Sequence, residues 1–218
     1  MKTNSHLILR ISGICIFLGC LFINNLFITP QNFRFFSDII QNTLAFVIIL
    51  FILWPDSGHL QIAFGVGLFT MGYDFFIETL AVKLDWWYPL GGTQAPPILV
   101  IPIEMVISFL IFGAITALFF QIPERVRTTD SRIVSKFKKL FKNSNMDVGW
   151  QILLILVISI AGTYGDYSAG PTVWVPGPSW HPFFTFLIWF HGGLLTILIF
   201  FLLKRRAKKR QNLHKVIF

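Results

Sequence analysis

Six apolar runs, at about 8–28, 38–54, 60–83, 97–120, 150–168 and 182–203, recur along this 218-residue chain. Each is long enough for a helix rising about 1.5 Å per residue to cross a hydrocarbon core about 30 Å thick. No other feature restricts the fold so tightly. A segment that crosses lipid must satisfy its own backbone hydrogen bonds, and runs of this length can do so only as helices. The sequence therefore predicts an all-α, polytopic transmembrane helix bundle of about six spans, one integral membrane domain over 1–218. Composition points the same way, since 55% hydrophobic and 13% charged residues do not make an ordinary soluble domain. The fifth run is the least regular, because it ends among Gly162, Gly165, Asp166 and Gly170.

Charge predicts the orientation. Arg125, Arg127, Arg132, Lys136, Lys138, Lys139 and Lys142 lie between spans four and five, and seven more basic residues from Lys204 to Lys215 follow span six. With Lys2 and Arg10 at the start, all of these fall on one side of a six-span bundle, and only Arg34 and Lys83 fall near the other. This positive-inside pattern predicts that both termini are cytoplasmic. The net charge of +8 then reads as topology signal and contact with anionic lipid head groups, not as a nucleic-acid surface. A short basic segment, 132–142, has the makings of a helix resting on the membrane surface. "LFINNLFITPQ" offers no small-x-small cleavage site, so the first run reads as a retained span, not a signal peptide. Cys15 and Cys20, the only cysteines, sit in that span and read as small apolar fillers. The chain has no phosphate loop, dinucleotide fingerprint or nucleophile elbow, so no cofactor and no metal are expected.

The topology gathers the chemistry on the opposite face. Loops 84–96 ("LDWWYPLGGTQAP") and 169–181 ("AGPTVWVPGPSWH") are both expected to be non-cytoplasmic. Their tryptophans and Tyr88 suit an interfacial aromatic belt. A second reading makes Trp86, Tyr88 and Trp174 part of a substrate-binding wall. Asp74 and Glu78, at i and i+4, share one face of span three. Glu104 falls about two turns into span four, Asp166 near the outer end of span five, and His191 about three turns into span six. Carboxylates at such depth are costly and usually face the bundle interior, pair with one another or work on a substrate. Two carboxyls sharing an apolar pocket do not both ionise readily, which leaves a proton donor beside an acceptor. That is a general acid–base arrangement, and its natural substrate at this depth is lipid-soluble. The 25 phenylalanines read mostly as packing and lipid-facing side chains, although aromatic faces can also stabilise a cation.

The chain also echoes itself. "ETLAVKLDW" (78–86) and "DYSAGPTVW" (166–174) share acid-x-x-Ala-x-x-x-x-Trp, each at the outward end of a span. This suggests an internal duplication with units at about 38–120 and 150–203, joined by the basic loop 121–148. Glu78, Ala81, Val82, Trp86, Tyr88, Gly91, Pro102 and Glu104, in that order, resemble the repeated unit of the small polytopic lycopene cyclases of carotenoid synthesis. Related carotenoid hydratases are similar. The resemblance covers about 75–120 well and the second half loosely. It implies a membrane enzyme, with homo- or hetero-oligomeric assembly, that needs no cofactor. Such an enzyme protonates a terminal double bond of a linear isoprenoid, holds the cation during ring closure and removes a proton. Glu104 is then the acid or cation partner and Glu78 its counterpart, with Asp74, Asp166 and His191 as further catalytic candidates. The expected location of the multi-pass chain is the plasma membrane of a prokaryote. Three departures stand out: Met105 replaces the unit's second glutamate, Glu78 replaces the usual Asp, and "HPFFTFLIWFHGG", with His181 and His191, replaces any second Pro-x-Glu. The competing expectation is a non-enzymatic carrier or accessory subunit, for which the polar track toward the cytoplasm is thin: Ser108, Thr116 and Ser159.

Overall fold

Asp56 shows how the chain starts its helices: its Oδ1 accepts the backbone N–H of His59 at 2.9 Å, the expected N-terminal cap. Partial desolvation pushes this carboxyl up, but the His59 backbone and ring outweigh it and leave it below the usual carboxylate value. The structure, a computed structural model, describes residues 2–29, 32, 34–90, 101–128 and 145–217. The basic segment 132–142 and Gly91 lie outside the described residues. In order, the elements are α1 (Lys2–Leu26), a π-helical segment (Arg34–Gln41) running into α2 (Asn42–Leu53), and α3 (Ser57–Lys83). Then come β1 (Trp87–Pro89), α4 (Ile103–Phe120), α5 (Ile122–Thr128), α6 (Asn145–Val173), β2 (Trp174–Pro176) and α7 (Pro182–Ile217).

Six of these stretches are long and apolar enough to cross a membrane, so the multi-pass helical bundle is the observed architecture. Span four begins later than its apolar run: Pro102, with φ −59° and ψ 137°, is the N-cap of α4 and not an interior kink. A proline suits the start of a helix, where its missing N–H has no partner to lose. Span five continues as helix through its glycines to Val173. Gly162 has a packing reason to be there, since a Cβ on it would come within 2.6 Å of the Trp189 ring.

The centre of the bundle is the seam between α3 and α4. Ala63 and Gly67 on α3 meet Gly113 and Ala117 on α4, both pairs at four-residue spacing. The backbones approach so closely that a Cβ on Gly67 would lie 2.4 Å from the Leu110 carbonyl oxygen. One on Gly113 would lie 2.9 Å from the Gly67 Cα. Lipid supplies no hydrophobic force between helices, so close packing of small residues is what holds such a seam. Ala63, Val66, Ala114, Ala117, Leu118, Ile155 and Phe200 form the buried core around it. Beside the core, α1 docks on α2 where Gly13 leaves room for Phe51, and Arg10 lies 4.9 Å over the Trp54 ring.

Polar ties close the two ends differently. At the basic end, Arg125 donates to the Leu53 carbonyl, Lys204 pairs with Glu124 at 2.5 Å, and Arg127 grips Asp147 through two bonds of 2.5 and 2.6 Å. At the other end β1 and β2 pair antiparallel, so the two aromatic loops lie side by side. Gly177 seals this contact: its N–H reaches the Trp86 carbonyl at 2.7 Å, and a Cβ there would lie 1.9 Å from the Asp85 carbonyl oxygen. The pairing sets Trp87 opposite Pro176 and Pro89 opposite Trp174. The local two-fold of the pair therefore exchanges Trp87-Tyr88-Pro89 with Trp174-Val175-Pro176, one residue away from the register of the sequence echo.

Candidate functional site

A cavity of about 380 Å³ lies between α3, α4, α6 and α7, with the π-helical segment and both strands adding to its wall. Its lining on α4 runs from Met105 to Thr116, and on α6 from Ile155 to Asp166. The eleven steps of helix between the first and last of these residues, at about 1.5 Å each, make it about 16 Å deep. It reaches from the strand end toward the middle of the spans. The volume falls within the range of about 300–1,000 Å³ common for small-molecule sites.

The acids reach the cavity through helix periodicity. On α3 the stripe that begins with Ala63 and Gly67 continues as Thr70, Asp74 and Glu78, so the face that packs on α4 lower down becomes cavity wall higher up. Asp74 and Glu78 are 6% and 7% exposed. Glu78 Oε2 accepts the indole N–H of Trp87 at 2.6 Å. On another wall, Asp166 Oδ2 accepts the indole N–H of Trp189 at 2.8 Å. Gly162, one turn before Asp166, makes the space into which that indole fits. Each of these two carboxyls is thus oriented by a tryptophan from a different element, a strand in one case and α7 in the other.

Aromatic rings complete the outer part. Trp87 and Trp174 lie 6.3 Å apart between centroids, and Trp174 lies 5.3 Å from Trp180, whose N–H donates to Thr185 Oγ1 at 3.1 Å. Tyr73 lines the cavity and turns its hydroxyl to the Ile188 carbonyl at 3.2 Å and His191 Nδ1 at 3.1 Å. Gly192 permits this, since a Cβ there would come within 2.5 Å of the tyrosine ring. The π-helical segment adds Asp38 and, at its junction with α2, Asn42, whose amide donates to Ser108 Oγ at 2.8 Å. Wide π turns often mark functional positions.

Of the residues singled out from sequence, Asp74, Glu78, Asp166 and Trp174 line this cavity. Glu104, His191, Trp86 and Tyr88 are not among its lining residues. Glu104 is buried in the first turn of α4, where the helix dipole favours a carboxylate. Its neighbour Met105, at the place of the resembled unit's second glutamate, lines the cavity. His191 is exposed on the outer face of α7, beyond Tyr73. Trp86 stacks on Phe184, while Tyr88 is exposed and donates to Asp85, a bond that pushes the phenol above its ordinary value. Asp38, Trp87 and Trp189 belong to the site and were not foreseen. The strand's two-residue alternation explains one of them: Trp86 and Tyr88 share a face, and Trp87 takes the other.

Among the described residues no group of three or more His, Cys, Asp or Glu is placed to hold a metal ion. What the cavity offers is carboxyl groups held by indole N–H donors inside an aromatic enclosure, which is equipment for moving protons on an apolar ligand. No protein-family model, curated protein or solved structure matches this chain.

Proposed function

We propose that this protein is a membrane-embedded acid–base enzyme that isomerises an unsaturated isoprenoid lipid, as the lycopene cyclases it resembles do. The observation that carries this reading is the presence of Asp74, Glu78 and Asp166 in the wall of one aromatic-lined cavity. An alkene offers no leaving group and no hydrogen-bonding atom, so the simplest way to activate it is to add a proton. In the proposed reaction a carboxylic acid protonates the less substituted CH carbon of a terminal trisubstituted double bond, and the cation forms on the tertiary, dimethyl-substituted carbon beside it. The π electrons of a second double bond close a carbon–carbon bond onto that cation. A carboxylate then removes a neighbouring proton, and a double bond re-forms. The atoms balance without oxidant, reductant or cofactor. Glu78 is assigned the protonating role, with Asp166 or Asp74 receiving the proton, and Trp87 and Trp174 face the transient positive charge. In the same reading the basic end faces the cytoplasm, and the protein resides in a prokaryotic plasma membrane.

Expression in a lycopene-accumulating bacterial strain, with pigments separated by chromatography, tests the substrate assignment. A cyclised product is expected with the wild type and absent from the empty strain. Unchanged lycopene alongside inserted, folded protein would remove the carotenoid from the proposal and leave a shorter isoprenoid as the substrate to try.

A further inference from the structure

The four helices round the cavity do not meet equally. α3 packs directly on α4 and on α7, and α7 packs on α6, but among the described residues α4 and α6 approach each other at only a few points. Side chains fill that fourth side. Trp189 leaves α7 and reaches across it: its indole N–H donates to Asp166 on α6 at 2.8 Å, and its ring rests where Gly162 leaves room. On the opposite edge Phe109 and Phe112 of α4 lie 5.6 and 5.7 Å from the Trp189 ring, centroid to centroid. All three rings line the cavity and are only half-buried. The other sides are firmer. The strand end is crowded by Trp87, Trp174 and Trp180. Between α3 and α7, where the helices themselves touch, the Tyr73 hydroxyl holds the Ile188 carbonyl and His191.

We propose that the side between α4 and α6 is a lateral door through which an apolar ligand enters the cavity from the bilayer. Trp189 is the part that moves, Phe109 and Phe112 are the edge it closes on, and its bond to Asp166 is the latch. A side chain can change rotamer and return quickly, whereas the close backbone seam of α3 and α4 cannot part without loosening the bundle. Swinging Trp189 aside breaks one hydrogen bond and its ring contacts, each a modest cost. Entry on this side also spares a water-insoluble ligand any passage through water. The inference rests on the apolar ligand proposed above and not on the chemistry that follows, so its test reads binding rates instead of turnover.

The probe is axerophthene, a polyene hydrocarbon, added to purified protein in lipid nanodiscs. Trp87, Trp174 and Trp180 line the cavity and remain as energy donors in every variant, so transfer from tryptophan to the polyene reports binding. Only the part of the signal that excess squalene removes counts as occupancy of the site. Trp189→Phe keeps a ring and loses the N–H, so association and release should both quicken about fivefold. Its affinity should stay within about threefold, since a looser door speeds entry and exit alike. Trp189→Ala should quicken both rates by at least about tenfold. Tyr73→Phe, which cuts the ties on the α3–α7 side, should leave both within about twofold. Unchanged rates in Trp189→Phe would overturn the proposal. So would faster exchange in Tyr73→Phe, a loss of affinity in Trp189→Phe with no change in association rate, or wild-type protein without saturable energy transfer.

Discussion

Gly67→Ala should lower the stability of the detergent-solubilised protein by about 1–3 kcal/mol, whereas Gly72→Ala, on the same helix, should leave it unchanged or raise it by up to about 1 kcal/mol. The two glycines differ only in what surrounds them. A methyl group on Gly67 would sit 2.4 Å from the Leu110 carbonyl oxygen and 3.3 Å from the Ala114 nitrogen. Those are backbone atoms and cannot rotate away, so the helices must part. Parting them loosens the close packing that holds α3 to α4, and it shifts Asp74 and Glu78, which ride on the same face of α3 two to three turns further on. Around Gly72 a Cβ would meet nothing within 4 Å, so alanine there contributes only its better helix propensity. Denaturant or thermal unfolding followed by circular dichroism separates the two. Equal destabilisation by both variants would contradict the α3–α4 seam.

Glu78→Gln should abolish turnover, by at least about 100-fold, while the protein stays folded. Glutamine keeps the length of the side chain, and its amide oxygen can still accept the Trp87 indole N–H that Glu78 accepts at 2.6 Å. What it lacks is an exchangeable acid proton. Glu104→Gln is the informative companion. Glu104 is as buried as Glu78, at 8% against 7% exposed, but it lies outside the cavity lining, so its loss should disturb α4 more than the chemistry. Product yields in membranes, normalised to folded protein, decide the matter. Full activity in Glu78→Gln would take this carboxyl out of the mechanism and leave Asp74 or Asp166 as the donor.

The spans and the placement of the two aromatic loops at one end of the bundle were legible in the sequence because lipid restricts the backbone so severely that hydropathy and span parity nearly determine them. The details of the cavity wall were not. Span two reads as a plain apolar run, and nothing in "RFFSDIIQ" announces the π turn that carries Asp38 into the cavity. In "DWWYP" the two adjacent tryptophans are equivalent by composition. Only the pairing of β1 with β2 decides that Trp87 turns inward and Trp86 outward. Glu104 shows the opposite problem. The apolar run suggests a span starting near 97 and places Glu104 about two turns inside it, but α4 starts at Ile103, which puts Glu104 in the first turn and leaves Met105, not Glu104, in the cavity wall. The glycines of spans five and six, Gly162 and Gly192, look like helix breakers in isolation and acquire a purpose once Trp189 and Tyr73 are seen against them.

Proton transfer to carbon inside the cavity is the central claim, and deuterium incorporation measures it most directly. Purified protein in lipid nanodiscs would be incubated with lycopene, and in parallel with a shorter linear isoprenoid, in deuterated buffer. The lipids would then be recovered for mass spectrometry. The account predicts one deuterium fixed in the product for each ring closed by the wild type, and none with Glu78→Gln. A product formed without deuterium, or unlabelled and unchanged lipid from correctly inserted wild-type protein with both substrates, would contradict it.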